Sequence, residues 1–269
     1  MTCAHPVLEC QKLAQRYRVR GGHQVVFEDL DLTITGHQLI SVVGASGCGK
    51  STLLRLVLGS EQPWRGTLRS HGQPITHPDR TRGIVFQRYS LFPHRTVIGN
   101  VGFGLELGRA RRARDWLPGW SRAHRRRLRD EAMHELAEVG LAAHADKYPH
   151  QLSGGMQQRV AIAQALIMKP AILLMDEPFG ALDADTRASL QRLVVRAFHD
   201  HRTTILLVTH NLEEALAVGT RLLVLAPDRA HPACGARLVI DQPNRQGAPL
   251  DTPESRELLA HVQRIGFAA

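Results

Sequence analysis

The sequence predicts an α/β fold organised around a mostly parallel sheet, and three observations carry that prediction. A glycine-rich loop, Gly44-Ala45-Ser46-Gly47-Cys48-Gly49-Lys50-Ser51, separates an apolar strand pattern from an amphipathic helix pattern. A second apolar strand pattern ends in two adjacent acids, Asp176 and Glu177. Beyond Pro149, strand and helix patterns alternate, which is the order that builds parallel strands covered by helices on both faces.

The elements follow in order. Short strands are expected at 7–13, 25–32 and 38–43, the second after the Gly21-Gly22 turn and the third running into the glycine loop. From Lys50, the residues Leu53, Leu54, Val57 and Leu58 fall on one helical face, and Gly59 is placed to end the helix. Strands at 66–70 and 81–86 and helices at 96–107 and 122–139 come next. The alternation then runs helix 155–168, strand 171–175, helix 184–200, strand 204–209, helix 212–218 and strand 221–226, with a last helix at 253–262.

Composition bounds the function. The 269 residues suffice for a full core in one large or two small domains, and 43% hydrophobic with 22% charged residues describes an ordinary globular chain. No apolar run approaches the roughly 18 residues that cross a bilayer, and the N-terminus lacks a signal-peptide pattern, so a cytoplasmic protein is expected. Cys3, Cys10, Cys48 and Cys234 are scattered without metal-ligand spacing, so reduced thiols are expected. The net charge of +9 suits nucleic acid, an anionic membrane surface or a polyanionic ligand, and does not choose among them.

The glycine loop fits G-x-x-x-x-G-K-[ST], with the strand before it and the helix after it that phosphate binding requires. Gly44, Ser46, Gly47, Cys48 and Gly49 offer backbone N–H groups to phosphate oxygens, Lys50 offers a point charge, Ser51 can ligate Mg²⁺, and Thr52 completes the nucleotide-contacting segment. Cys48 sits beside Lys50 and a helix N-terminus, both of which favour thiolate, although a small residue filling a tight loop is the plainer reading.

Asp176 and Glu177 end a buried strand, a Walker B pattern in which Asp176 turns to Mg²⁺ and Glu177, on the other side of the pleat, to an attacking water. Taken alone, two acids could equally begin a loop. His210 follows the strand 204–209, and ligands of parallel sheets collect at such strand ends. A lone histidine is more often a satisfied surface or core residue, but this one shares its position with the loop and the acids.

The segment Leu152-Ser153-Gly154-Gly155-Met156-Gln157-Gln158-Arg159 then resembles the signature of the ABC family. The resemblance covers roughly residues 7–241. Within it Gln87 is similar to the Q-loop glutamine, Ala181-Leu182-Asp183 is similar to the D-loop, and Tyr17 resembles the aromatic residue that stacks on adenine, though packing is its simpler use. The resemblance implies a P-loop NTPase core with an antiparallel β flank and an inserted helical subdomain. Here that means an ATPase domain over 5–241, a helical subdomain over about 88–166, and a tail over 242–269 too short for an appended regulatory domain.

The resemblance also implies a head-to-tail homodimer, with each ATP held between the Lys50 loop of one copy and Ser153, Gly154 and Gly155 of the other. Glu177 would polarise water, His210 would sense the γ-phosphate, Ser51 and Asp176 would ligate Mg²⁺ with Gln87 reaching the metal or the water, and Asp183 would join the nucleotide site.

The run from Gly83 to Pro93 and the block from Met175 to Asp183 resemble bacterial importers of the nitrate/sulfonate/taurine group. That implies an integral-membrane permease, indirectly a periplasmic or extracellular solute-binding protein, and a peripheral position on the inner face of the cell membrane. Leu91-Phe92-Pro93 stands where such subunits receive a coupling helix, unless it is a buried anchor. The chain departs from the group in its arginine-rich insertion over 108–129, containing Arg111, Arg112, Arg114, Trp116, Trp120, Arg125, Arg126 and Arg127. This stretch reads either as a solvated loop or as a contact for anionic headgroups. A soluble ABC ATPase on nucleic acid or ribosomes, and an exporter or lipid-extraction ATPase, are the competing readings. Nucleic acid is not the expected partner, because a single phosphate loop and no heptad run are present. The solute is not legible in this subunit.

Overall fold

A computed structural model describes residues 6–87, 90–109, 118–180, 182–228, 231, 234–247, 252–262 and 264, with the backbone alone at 107–109, 118–124 and 254–255. Cys3, Arg88, Ala181, Arg111, Arg112, Arg114 and Trp116 lie outside the described residues.

Strands β1 (Pro6–Val19), β2 (Gly22–Thr35), β4 (Arg65–Ser70) and β5 (Gln73–Pro74) pair antiparallel. Strands β3 (Leu39–Gly44), β6 (Arg82–Val85), β7 (Ile172–Asp176), β8 (Thr204–Thr209) and β9 (Arg221–Pro227) pair parallel. Strand β10 (Ala236–Pro243) runs antiparallel to β9 and meets β2 at Ala236 opposite Phe27, joining both parts into one sheet of order β5-β4-β1-β2-β10-β9-β3-β8-β7-β6. The sequence reading missed β10. Its residues alternate between half-buried and exposed after Ala236, so it lacks the unbroken apolar run that marks the central strands.

Helices α1 (Lys50–Leu58), α4 (Gly154–Leu166), α5 (Ala184–His201) and α6 (Leu212–Val218) cover the parallel block. The period-2 pleat sends alternate residues of each central strand into different cores. Leu173, Met175, Ile205 and Leu207 pack with α4 and α5, whereas Ile172, Leu174, Leu206 and Val208 pack with α1 and the antiparallel flank. Burial on both faces is why β3 and β8 are covered at every position.

Between β6 and β7 the chain forms α2 (Val97–Arg109), α3 (Pro118–Glu138) and α4, whose apolar faces meet through Val101, Leu105, Ala132, Leu136 and Ile162. Helix α3 bears out the helix expected from 122 and begins four residues earlier, so the solvated-loop reading of the arginine stretch is corrected over 118–121. Arg125, Arg126 and Arg127 are exposed on it, Leu128 turns inward, and Arg127 and Arg129 pair with Glu131 and Asp146 at 3.5 and 3.2 Å. The final helix, α7 (Pro253–Val262), buries Val262 against α6. Among the described residues no helix is long and apolar enough to cross a membrane, and Cys10, Cys48 and Cys234 are unpaired.

Candidate nucleotide site

The loop between β3 and α1 is shaped by Gly49, whose φ of 90° lies in the left-handed region and where an added Cβ would stand 2.5 Å from Val26 Cγ1. No side chain caps α1 and no acid lies in its first turn, so its leading N–H groups are available to an anion. Lys50 is buried at 6% exposure and donates to the carbonyls of Gly44 and Ala45 at 2.7 and 3.0 Å. Ser46 and Gly47 are exposed and line an open cleft of about 960 Å³ with Cys48, Val19, Gln24 and Val26.

Of the two readings of Cys48, the structure favours the small residue in a tight loop. Burial pushes its thiol up, outweighing the lowering by Lys50 and by nearby backbone N–H groups, so the loop holds a thiol and not a thiolate. Thr52 is buried one turn into α1, and its hydroxyl accepts from Arg55 at 3.1 Å. Tyr17, half-buried on β1, holds its hydroxyl against Glu61 at 2.5 Å and receives a bond from Arg55 at 3.0 Å, which pins the ring beside α1.

The Ser51 hydroxyl donates to Asp176 Oδ1 at 3.1 Å. Burial is the largest influence on Asp176 and raises its pKa, Ser51 opposes that, and the neighbouring Glu177 charge adds to the rise. A partly buried carboxylate and a hydroxyl side by side form a hard-oxygen pair suited to Mg²⁺, which takes its other ligands from water and phosphate. Among the described residues no group of three or more His, Cys, Asp or Glu could hold a metal by itself.

Glu177 has a φ of 46°, a sparsely populated conformation for a residue with a side chain. Its N–H donates to Val208 of β8 at 2.9 Å, which fixes the turn. Its Oε2 accepts from Gln87 Nε2 at 3.1 Å, and its Oε1 lies 3.2 Å from His210 Nδ1. The ends of three adjacent parallel strands, β6, β7 and β8, thus bring Gln87, Glu177 and His210 together, next to the Ser51–Asp176 pair.

The other expected residues sit at two helix starts. Ser153 caps α4 by accepting from the Met156 N–H at 3.4 Å, Gly154 is the first residue of that helix, and Gly155 is buried against Thr186 of α5. Asp183 caps α5 by accepting from the Thr186 N–H at 3.0 Å, which holds its carboxyl below the usual range. Ser153 and Asp183 are both exposed.

Three residues near the site were missed. Asn100, fully buried, donates to the carbonyls of Phe92, Arg95 and Thr96 and accepts from the Phe92 N–H, fixing the turn after Gln87. Glu214 is buried on α6 and Arg187 of α5 faces it at 3.5 Å. Glu214 carried a signal, a lone charge among Leu212, Ala215, Leu216 and Val218 on the face turned to the sheet.

A phosphate loop at a helix start, facing carboxylates at the ends of neighbouring parallel strands, defines a P-loop nucleotide-binding protein. Comparison with known proteins narrows this. The ABC transporter family profile matches residues 27–180. The chain is 41% identical over 254 residues to the aliphatic sulfonates import ATP-binding protein SsuB of Yersinia pestis bv. Antiqua, covering 94% of this chain and 84% of that protein. It is 40% identical over 243 residues to the nitrate import ATP-binding protein NrtD of Synechococcus elongatus, covering 90% and 81%. The dimeric post-hydrolysis structure of the ATP-binding cassette MJ0796, bound to ADP and Pi, superposes with a TM-score of 0.73 at 28% identity over 88% of this chain and 99% of that one. This chain belongs to the ABC transporter family, and its fold is that of the ABC ATPase.

Proposed function

We propose that this chain binds and hydrolyses ATP in a pair with a second copy and so powers solute import through an integral-membrane permease. The observation that carries the reading is Glu177, bonded by Gln87 and facing His210, beside the Ser51–Asp176 pair at the mouth of the phosphate loop. The names of SsuB and NrtD, both import ATP-binding proteins, support import over export or a nucleic-acid role.

The triphosphate occupies the backbone cradle from Gly44 to Ser51, with Thr52 behind it. Lys50 exchanges its two loop carbonyls for the β- and γ-phosphates. Ser51 and Asp176 would hold Mg²⁺ with Gln87 in reach, and the ion would supply charge neutralisation on the triphosphate. Glu177 orients the attacking water and takes its proton, while His210, held on Glu177, contacts the γ-phosphate. Tyr17 offers its ring face to adenine.

The second copy supplies Ser153, Gly154 and Gly155, where the start of α4 presents backbone N–H groups and its positive dipole end to the γ-phosphate. Asp183 lines the same junction. The dimeric MJ0796 cassette supports this pairing. The ATPase domain is assigned to 5–241, the helical subdomain to about 88–166 and the tail to 242–269.

The permease docks at the groove of about 350 Å³ lined by Phe86, Ser90, Phe103, Gln164 and Met168. Phe92, half-buried, stacks edgewise on the groove residue Phe103 at 4.5 Å. The subunit then sits on the inner face of the membrane, and a solute-binding protein delivers a small nitrate- or sulfonate-like solute from outside. Co-expression with the cognate permease tests this: Phe103→Asp is expected to abolish co-purification and ATP-driven uptake into vesicles. Undiminished uptake rejects the groove as the docking site.

A further inference from the structure

The first turn of α5 touches the signature segment and, through Glu214 and Thr209, reaches the segment that carries His210 of the same copy. On one side, Thr186 presses on α4, where a Cβ added to Gly155 would lie 2.3 Å from Thr186 Cγ2. On the other side, Arg187 Nη2 donates to the Leu182 carbonyl at 2.9 Å and Arg187 Nε lies 3.5 Å from Glu214 Oε1. Glu214 Oε2 accepts from the Thr209 hydroxyl at 2.7 Å, and that hydroxyl accepts from the Asn211 N–H at 3.0 Å. Thr209 and Asn211 flank His210, so one hydroxyl anchored on Glu214 fixes the backbone on both sides of the histidine that faces Glu177.

We infer that Arg187 and Glu214 are positioning residues that tie the partner-facing starts of α4 and α5 to the copy's own His210, so that each ATP site registers whether the other is engaged. The inference rests on the proposed two-sided ATP site. Glu214 is buried at 6% exposure, and a carboxylate there depends on the facing guanidinium. Arg187 Nε is buried yet makes no hydrogen bond at 3.5 Å, so the pair is only partly closed and a sub-ångström shift of α5 completes it. Docking of a partner on Ser153 and Asp183 acts on the helix starts that carry this shift.

The test uses the full chain and the variants Glu214→Gln, Arg187→Gln and their double, with Arg187→Lys as the conservative control. Glu214→Gln keeps an acceptor for Thr209 and nearly the same volume, so folding is preserved. Each single variant is expected to lower kcat about tenfold with ATP KM within about twofold, since the loss falls on the hydrolytic geometry and not on nucleotide binding. The Hill coefficient for ATP falls towards one, a readout that a merely structural defect does not move. The double variant loses no more than the worse single, and Arg187→Lys recovers most of the lost rate. Unchanged kcat in the singles, or losses that multiply in the double, overturns the relay while leaving the ATPase reading intact. A wild-type chain that neither binds nor hydrolyses Mg-ATP overturns the reading beneath it.

Discussion

His210 Nδ1 stands 3.2 Å from Glu177 Oε1, while Gln87 holds the other oxygen of the same carboxylate at 3.1 Å. Held between a glutamine and a histidine, with no guanidinium or ammonium against it, the acid is oriented but not consumed. Glu177→Gln preserves the shape and removes the proton acceptor. Hydrolysis is expected to fall by about 10²–10⁴-fold with ATP binding intact, and Mg-ATP should trap a dimer visible by size-exclusion chromatography. Ordinary steady-state turnover in this variant would remove Glu177 from the role of base.

Lys50 bonds to its own loop, through carbonyl oxygens of Gly44 and Ala45 that phosphates do not need. Lys50→Ala therefore costs the phosphates their one point charge. A charge-assisted bond contributes about 1.5–3 kcal/mol, so ATP affinity should weaken roughly ten- to hundredfold. Titration with ATP measures it, and an unchanged Kd would show that the backbone cradle alone holds the nucleotide.

The parts of the site that the sequence made legible are those with a rigid local rule. Gly49 and Lys50 follow a strand, and Asp176 and Glu177 end one, so their chemistry could be read from the order of residues alone. Glu214 and Arg187 are far apart in sequence and meet only because α5 and α6 pack side by side, so no local pattern announced their pairing. Strand β10 escaped for a different reason. A flank strand covered on one face needs few apolar residues, and its neighbours across the sheet decide its conformation more than its own propensity does. For Cys48 the sequence shows the adjacent charge of Lys50 but not the burial that outweighs it, and the plainer reading, a small residue filling a tight loop, is the one the structure supports.

Gly155 and Thr186 give a packing test at the same junction. Ala in place of Gly gains up to about 1 kcal/mol of helix propensity, but a methyl 2.3 Å from Thr186 Cγ2 overpacks the contact at about 1–3 kcal/mol. The second effect wins, so Gly155→Ala should lower stability by about 1–2 kcal/mol in urea denaturation. Thr186→Ser deletes the clashing methyl while keeping the hydroxyl, and should restore most of the loss. Failure of that rescue would place the strain elsewhere in α4.

Asp176 sets stability against function. Its pKa in the folded chain is raised from the ordinary 3.8, chiefly by burial, so folding favours the neutral acid. A group with a raised folded value contributes stability fully below its unfolded value and loses that contribution as pH rises through the folded one. Asp176→Asn removes the cost of the buried charge and keeps an acceptor for Ser51, so at neutral pH and without nucleotide the variant should melt higher than the wild type. The gap should close as pH falls below the ordinary carboxyl value, where both side chains are neutral. Mg-ATP should reverse the order, because the ionised carboxylate that burdens the empty chain is the one a hard cation requires. Chelation with EDTA should then cancel the added stability of the wild type and leave the variant unaffected. A variant that melts below the wild type in the absence of nucleotide would mean that Ser51, Lys50 and Arg55 compensate the charge more fully than burial opposes it.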